Sequence, residues 1–355
     1  MPHPNRPELT EVDPITMRRR AMIAALLGLH TAAALPNWAA HAATTPDLDH
    51  TASRGDWRND FSAAVRELDI LGSQYVTHTG ALNRHSIKES GLWLAAQLHL
   101  LAERAPLHRR SEALRAAAEA CAFTAGCYVD YGDNRAAARL YDRAYLLADG
   151  HTDLRAFVWT QWSWVPMYRG EWRTVRNRSD QAIRWAERAG GYGLLMGWAH
   201  RAKACAVLGD HNGAREALAH LTDALPRVPG AALPHSALRY SASKAAFAAS
   251  CTYAELTDRP RQHDFQQQAL EDPSLGWIDR SLLKLAHCAL DPDPEHAAQR
   301  IRLQVMAHPA DSFNHCVKEE AGRLLTRLEA RTAGRSREIR ATRTYLDGIV
   351  INPAA

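Results

Sequence analysis

The stretch YVDYGDNRAAARLYDRAYLLA, residues 128–148, contains one complete signal for two helices joined by a turn. Gly132 follows an apolar run, and glycine readily takes up the left-handed backbone that ends a helix. Asp133 comes next, and an aspartate at this point caps the first turn of a following helix. Ala137 and Tyr141 then recur at helical spacing, which predicts one apolar face on the second helix. The stretch therefore predicts an antiparallel helical hairpin.

The same pattern returns along the chain. Further copies occupy residues 166–186, 205–225 and 253–273, and a weaker one occupies residues 290–300. The turns of the four clear copies are centred on Gly132, Gly170, Gly209 and Thr257, at spacings of 38, 39 and 48 residues. One hairpin cannot bury both of its apolar faces, so repetition at this period predicts neighbouring hairpins that stack and share a core.

The residues around these turns resemble those of the tetratricopeptide repeat. The first copy matches the pattern best, at Ala125, Tyr128, Ala137, Tyr141 and Ala144. Two departures are Pro166, where an aromatic residue is usual, and Thr257, where glycine is usual. The resemblance covers about 200 residues. It implies an all-α fold, a right-handed superhelical stack of antiparallel helix hairpins, or tetratricopeptide-like α-solenoid.

The chain divides into five segments by composition and pattern. We expect a flexible tail, an apolar helix or signal-like segment, a linker, an N-terminal helical hairpin and a tetratricopeptide-like array, at residues 1–16, 17–43, 44–56, 57–110 and 111–350.

Residues 17–43 admit two interpretations. The arginines at 18–20, the apolar run at 21–35 and the A-x-A pattern at 40–42 are typical of an export signal, and the arginine pair resembles the twin-arginine form. The alternative is an ordinary short helix that packs on the next element. It is too short to cross a bilayer, which takes roughly 20 residues.

The layout as a whole resembles the C-terminal sensor region of actinobacterial helix-turn-helix regulators of the Xre type. In those proteins an arginine pair, a short Ala/Leu run, a linker and degenerate repeats follow a DNA-binding domain. Only 16 residues precede the segment here, and a helix-turn-helix needs several times that length, so we expect a sensor region without its helix-turn-helix. The resemblance implies a cytoplasmic protein whose residues 17–43 are not a signal peptide, with export as the alternative.

Composition bears on the class of partner. Alanine supplies much of the 46% hydrophobic content and aromatic residues only 7%, which favours helices. The 43 basic residues are interleaved with 39 acidic ones, whereas direct nucleic-acid binding normally needs a clustered basic patch. We therefore do not expect direct nucleic-acid binding. No transmembrane segment is predicted, and homo-oligomerisation is left open.

Neither a cofactor nor a metal is predicted. The sequence lacks the phosphate-loop, dinucleotide-binding, zinc-helix and nucleophile-elbow motifs. The 18 histidines show no zinc-ligand spacing, and the six cysteines are dispersed rather than arranged as a disulfide framework. We therefore expect no catalytic residues.

The stretch FVWTQWSWVPMYRGEW, residues 157–172, is the best candidate for binding because it holds four of the ten tryptophans. In a tetratricopeptide-like stack the first helix of each unit lines a concave groove. This implies that Trp159 and Trp162 pack inside, whereas Glu119, Asp130 and Glu255 are exposed in the groove. The predicted groove residues are Phe157, Thr160, Trp164, Met167, Tyr168, Lys203 and Lys244.

An aromatic floor with separated charges suits a peptide or an amphipathic helix. The leading hypothesis is thus a non-enzymatic, regulatory helical-repeat protein that binds a peptide or protein partner in its concave groove. Two alternatives remain, an exported repeat protein and an all-helical biosynthetic enzyme with a pocket inside the stack.

Overall fold

A computed structural model describes residues 21–24, 26–27, 56–77, 81–189, 191–228, 240–273, 275–308 and 314–349. Within these ranges the protein is all-helical, with no strand and with fifteen α-helices packed in neighbouring pairs. The predicted tail at residues 1–16 and most of the predicted linker at residues 44–56 lie outside the described residues.

The first four helices lie in the region of the predicted N-terminal hairpin and the first predicted repeat. They are α1 (Trp57–Thr77), α2 (Ala81–Glu103), α3 (Leu107–Asp130) and α4 (Asn134–Leu147). The middle of the chain forms α5 (Thr152–Gln161), α6 (Trp164–Tyr168), α7 (Trp172–Ala189), α8 (Tyr192–Val207) and α9 (His211–Ala224). The remaining helices are α10 (Ala242–Glu255), α11 (Arg259–Leu270), α12 (Trp277–Cys288), α13 (Pro294–Met306), α14 (His315–Thr332) and α15 (Arg337–Asp347).

The four predicted turns have the backbone that the sequence requires. All four turn residues are left-handed, with φ of 78° at Gly132, 73° at Gly170, 82° at Gly209 and 58° at Thr257. The following aspartate caps the second helix in three of them: the carboxylates of Asp133, Asp210 and Asp258 accept hydrogen bonds from the backbone N–H three residues on. The Gly-Asp prediction is confirmed at these turns, and Thr257 takes the same conformation without being glycine.

The pairs follow one another in chain order. There are six successive pairs: α3 with α4, α5 with α7, α8 with α9, α10 with α11, α12 with α13, and α14 with α15. The helix named first in each pair is called its first helix. Each first helix also contacts the first helix of the next pair. In addition, α14 contacts α3, so the six first helices form a closed circuit of contacts.

Alanine makes this close packing feasible because its small side chain lets helices approach. In α3 the alanines at 113, 116–118, 120, 122 and 125 are all buried. All six cysteines are free and buried, where they act as small apolar residues. No described helix combines the length and the apolar character that crossing a membrane requires.

The short described piece of the 17–43 segment belongs to the main core. Residues 21–24 are helical, and the Ile23 carbonyl accepts a hydrogen bond from the N–H of Leu27 at 3.0 Å. Ile23 and Leu26 are fully buried among the apolar residues of the main core.

Candidate functional site

A cavity of about 210 Å³ lies between the first helices of the pairs. Most of its wall comes from α5, α6, α8, α10, α12 and α14. Tyr75 of α1, Asp130 at the end of α3, Trp172 of α7, Tyr240 and Gly276 also line it. A single water needs only about 10–15 Å³ of such space, so the cavity has room for a small organic molecule.

Six of the seven predicted groove residues line this one cavity. They are Phe157, Trp164, Met167, Tyr168, Lys203 and Lys244. Thr160 is not among the lining residues: it is fully buried, and its hydroxyl donates to the Ala156 carbonyl at 2.8 Å. Four helices bring the six together, since they lie on α5, α6, α8 and α10.

Of the acidic residues that the same mapping placed in the groove, one lines the cavity and two do not. Asp130 lines the cavity. Glu119 is buried rather than exposed, and it accepts a hydrogen bond from Arg115 at 3.0 Å. Glu255 is also buried, within an ion network beside the cavity.

The helix is interrupted after Gln161, just before the residues of the aromatic floor. Pro166 has no N–H and its ring excludes the carbonyl four residues back, so α5 ends and α6 begins at Trp164. The freed carbonyl is that of Trp162, and the Arg178 guanidinium donates to it at 2.9 Å. Trp164, Met167 and Tyr168 follow the interruption and line the cavity.

Trp159 and Trp162 of the stretch pack away from the cavity, whereas Trp164 and Trp172 line it. Trp159 and Trp162 meet edge to face at 5.6 Å, and Trp159 also contacts Tyr145 and Trp185. The Arg178 guanidinium lies over both indoles. This cluster connects α4, α5 and α7.

His200 positions Trp164. The indole Nε1 of Trp164 donates to Nε2 of His200 at 3.0 Å. Because an indole N–H can only donate, Nε2 is unprotonated and the neutral imidazole carries its proton on Nδ1. Burial lowers the pKa of His200 to about 4, with the Thr160 carbonyl partly opposing the shift, so this ring stays neutral near pH 7.

A buried ion network closes one side of the cavity. The Lys203 ammonium lies 2.7 Å from Glu255 and 3.5 Å from Glu320. Arg323 bonds both carboxylates, and Arg327 adds a further contact to Glu255. Burial disfavours the charge of Glu255, but Lys203, Arg323 and Arg327 outweigh burial and lower its pKa to about 2. The network connects α8, α10 and α14. The positive charge of Lys203 is balanced by Glu255 and Glu320.

Asp130, the last residue of α3, contacts the first turn of α14. Its Oδ1 accepts a hydrogen bond from the Cys316 thiol at 3.0 Å. Burial raises the pKa of Asp130 to about 7, and the thiol hydrogen bond only partly offsets the shift. A carboxyl group that titrates near neutrality therefore lines the cavity.

Repeat analysis missed the lining residues on α12 and α14. Trp277, Ile278 and Asp279 begin α12, and Glu320 lies on α14. The only sequence signal in this region is the weak turn at residues 290–300, which carries no glycine. His200 was also missed, because nothing in the sequence pairs it with an indole 36 residues away.

The described residues contain no group of three or more His, Cys, Asp or Glu side chains suited to a metal ion. No protein-family model matches this sequence, and no curated protein matches it either.

Proposed function

We propose that this chain is a non-enzymatic regulatory protein that binds a peptide or another small ligand with an apolar part. The helix pairs would form the tetratricopeptide-like superhelical stack that the sequence predicts, with the cavity as its concave side. One observation carries the proposal: six residues chosen from a repeat pattern line a single cavity. Its apolar area and few polar groups are typical of ligand sites.

The contacts of α14 support a mechanism of opening and closing. This helix contacts α3 and α6 on one side and α12 on the other. In helical-repeat stacks the contacts run mainly between neighbouring repeats, so the curvature would change readily once the contacts of α14 with α3 and α6 open. Movement of α14 would admit the ligand, and its return would report the bound state to a partner.

The direct test uses indole, an uncharged aromatic molecule, as a probe. Isothermal titration should show binding to the full chain, and Ala248→Trp, which fills the cavity from α10, should abolish it. Ala330→Trp, on an exposed position of α14, is the matched control and should bind indole normally. Native mass spectrometry of gently purified protein should in addition reveal a small co-purified ligand. Absence of both indole binding and a ligand would contradict the proposal.

Catalysis is the second candidate, and Asp130 favours it. A carboxyl group with a pKa of about 7 suits a general acid or base. Three neighbouring groups in the cavity are less suited to this chemistry: Lys203 is ion-paired, His200 is a fixed acceptor, and burial raises the pKa of the Cys251 thiol to about 12. Conversion of a bound ligand by the wild-type protein but not by Asp130→Asn, detected by mass spectrometry, would favour the enzyme.

We also propose that residues 17–43 are retained in a cytoplasmic protein, as the resemblance to Xre-type sensor regions implies. The burial of Ile23 and Leu26 in the main core supports this, because cleavage near residue 42 would remove both. Mass spectrometry of the mature N-terminus should find residues 18–42 intact. A start near Ala43 would instead favour the exported alternative.

A further inference from the structure

Two oppositely charged side chains in the cavity have no partner among the residues that the structure describes. Lys244 lies in the first turn of α10 and Asp279 in the first turn of α12, and both line the cavity. Neither makes a side-chain hydrogen bond or an ion pair of 4 Å or less to another described residue. The neighbouring charges Lys203, Glu255 and Glu320 are, in contrast, all paired.

Lys244 and Asp279 are close enough to influence each other. Burial raises the pKa of Asp279, and the charge of Lys244 counteracts part of that effect. Because the Lys244 ammonium and the Asp279 carboxylate interact without forming an ion pair, a charged group of a ligand can lie between them. Both side chains are half-buried, and complementary charge on a ligand would offset the cost of their partial desolvation.

The wall beside this pair is apolar and broad. Phe157, Trp164, Met196 and Phe247 line the cavity, and Trp164 is held in place by His200. Flat rings and thioethers make favourable contact with aromatic and branched aliphatic groups. The cavity, of about 210 Å³, therefore combines the ammonium of Lys244, the carboxylate of Asp279 and an apolar wall.

We propose that the cavity binds a free α-amino acid with a large apolar side chain. Its carboxylate would face Lys244, its ammonium group Asp279, and its side chain the apolar wall. A zwitterion satisfies both ions at once, whereas a neutral molecule leaves them unpaired. This inference rests on the proposed ligand-binding function and adds the charge pattern of the ligand.

The test compares four probes on the wild-type protein by isothermal titration: L-phenylalanine, N-acetyl-phenylalanine, phenylalanine amide and indole. We expect phenylalanine to bind at least tenfold more tightly than each blocked derivative, because each derivative lacks one of the two charges. Indole should bind weakly. Equal affinities for phenylalanine and its derivatives would overturn the inference, while indole binding would leave the proposed function intact. Loss of all binding would overturn both.

Variants identify which charge meets which end. Lys244→Met should weaken phenylalanine at least tenfold and leave phenylalanine amide unchanged, since the amide has no carboxylate. Asp279→Asn should weaken phenylalanine and leave N-acetyl-phenylalanine unchanged. Lys284→Met, at an exposed position of α12, is the matched control and should bind all probes as the wild type does. Uniform effects on every probe, or tighter binding of a peptide blocked at both ends, would contradict the assignment.

Discussion

At the scale of single residues, the turns show how local chemistry specifies a hairpin. Gly132 has φ of 78°, and a Cβ there would lie 3.0 Å from Nδ1 of His315. Glycine at this position thus supplies the left-handed backbone and also the room for the first residue of α14. Thr257 shows that the conformation can be imposed on a branched residue when the surrounding pair of helices demands it.

We predict that Thr257→Gly stabilises the protein by about 0.5–1 kcal/mol. Left-handed backbone costs a non-glycine residue roughly 1–2 kcal/mol, and the greater freedom of glycine in the unfolded chain offsets part of that gain. Urea unfolding followed by circular dichroism measures the change. The matched variant is Gly209→Ala, where no atom lies within 4 Å of the new Cβ, so a loss of about 1 kcal/mol there reflects backbone alone. A destabilised Thr257→Gly protein would refute the argument.

Asp130 should give the protein a distinctive dependence on pH. Its pKa of about 7 in the folded protein exceeds the ordinary value of 3.8, so between these pH values the folded state holds the proton more strongly. The contribution of Asp130 to stability therefore falls as pH rises from about 4 to 7, by at most about 1.4 kcal/mol per pH unit. Asp130→Asn should remove this slope.

The measurement is the difference in unfolding free energy between Asp130→Asn and wild type at several pH values. His200 has the opposite sign, since its lowered pKa of about 4 makes stability rise with pH through the same interval. It is present in both proteins and cancels in the difference. Asp142→Asn, at an exposed position of α4, should give a flat difference. A flat difference for Asp130→Asn would disprove the prediction.

At the scale of elements, ion pairs connect helices that belong to different helix pairs. Lys203 lies on α8, Glu255 on α10, and Glu320, Arg323 and Arg327 on α14. Three cations therefore share two carboxylates, and removing one carboxylate leaves a buried excess of positive charge. Arg178 on α7 plays a simpler part, because it donates to the carbonyl that Pro166 frees between α5 and α6.

Glu255→Gln should destabilise the protein by about 3–5 kcal/mol, the usual cost of breaking a buried ion pair from one side. Urea unfolding is the suitable assay because urea does not screen charge. Glu216→Gln is the control, since Glu216 is well exposed and pairs only with His220 at 3.9 Å, and it should cost less than about 1 kcal/mol. Equal effects of the two substitutions would show that the network contributes no more than a surface pair.

At the scale of the whole molecule, the contact of α14 with α3 closes the circuit of first helices. The Asp130–Cys316 hydrogen bond, at 3.0 Å, connects residues 186 positions apart in the chain. Asp130 and Glu320 of these two helices line the cavity, so the cavity depends on the contact between the first and the last of the six helix pairs.

Asp130→Cys should form a disulfide bond with Cys316 under oxidising conditions, because the two side chains are already in contact. A bond closing so long a loop should stabilise the folded chain by about 2–4 kcal/mol. Oxidation should also slow binding of indole if α14 must move to admit it. Thiol titration of the denatured protein counts the bond, and Asp130→Ser provides the control without a thiol. Oxidised and reduced proteins that bind indole at the same rate would refute the opening mechanism.

Much of the helical pattern was predictable because its signals are local. The glycine turns at residues 132, 170 and 209 each lie within a few residues of the helices they join. The break before Pro166 and the packing of Trp159 and Trp162 follow from equally local rules. Glu119 was placed wrongly because exposure depends on which neighbouring helix covers it, and Arg115 and Asp153 meet there.

The sequence by itself determined that the chain forms paired helices and where their turns lie, because these features arise from interactions along a few helical turns. Only the tertiary structure decided that α14 returns to α3, that Glu119 is buried, that Lys203 is paired while Lys244 and Asp279 have no partner among the described residues, and that His200 orients Trp164. These contacts join residues far apart in the chain. Their geometry depends on the accumulated angles of all the intervening helix pairs, which no local pattern records.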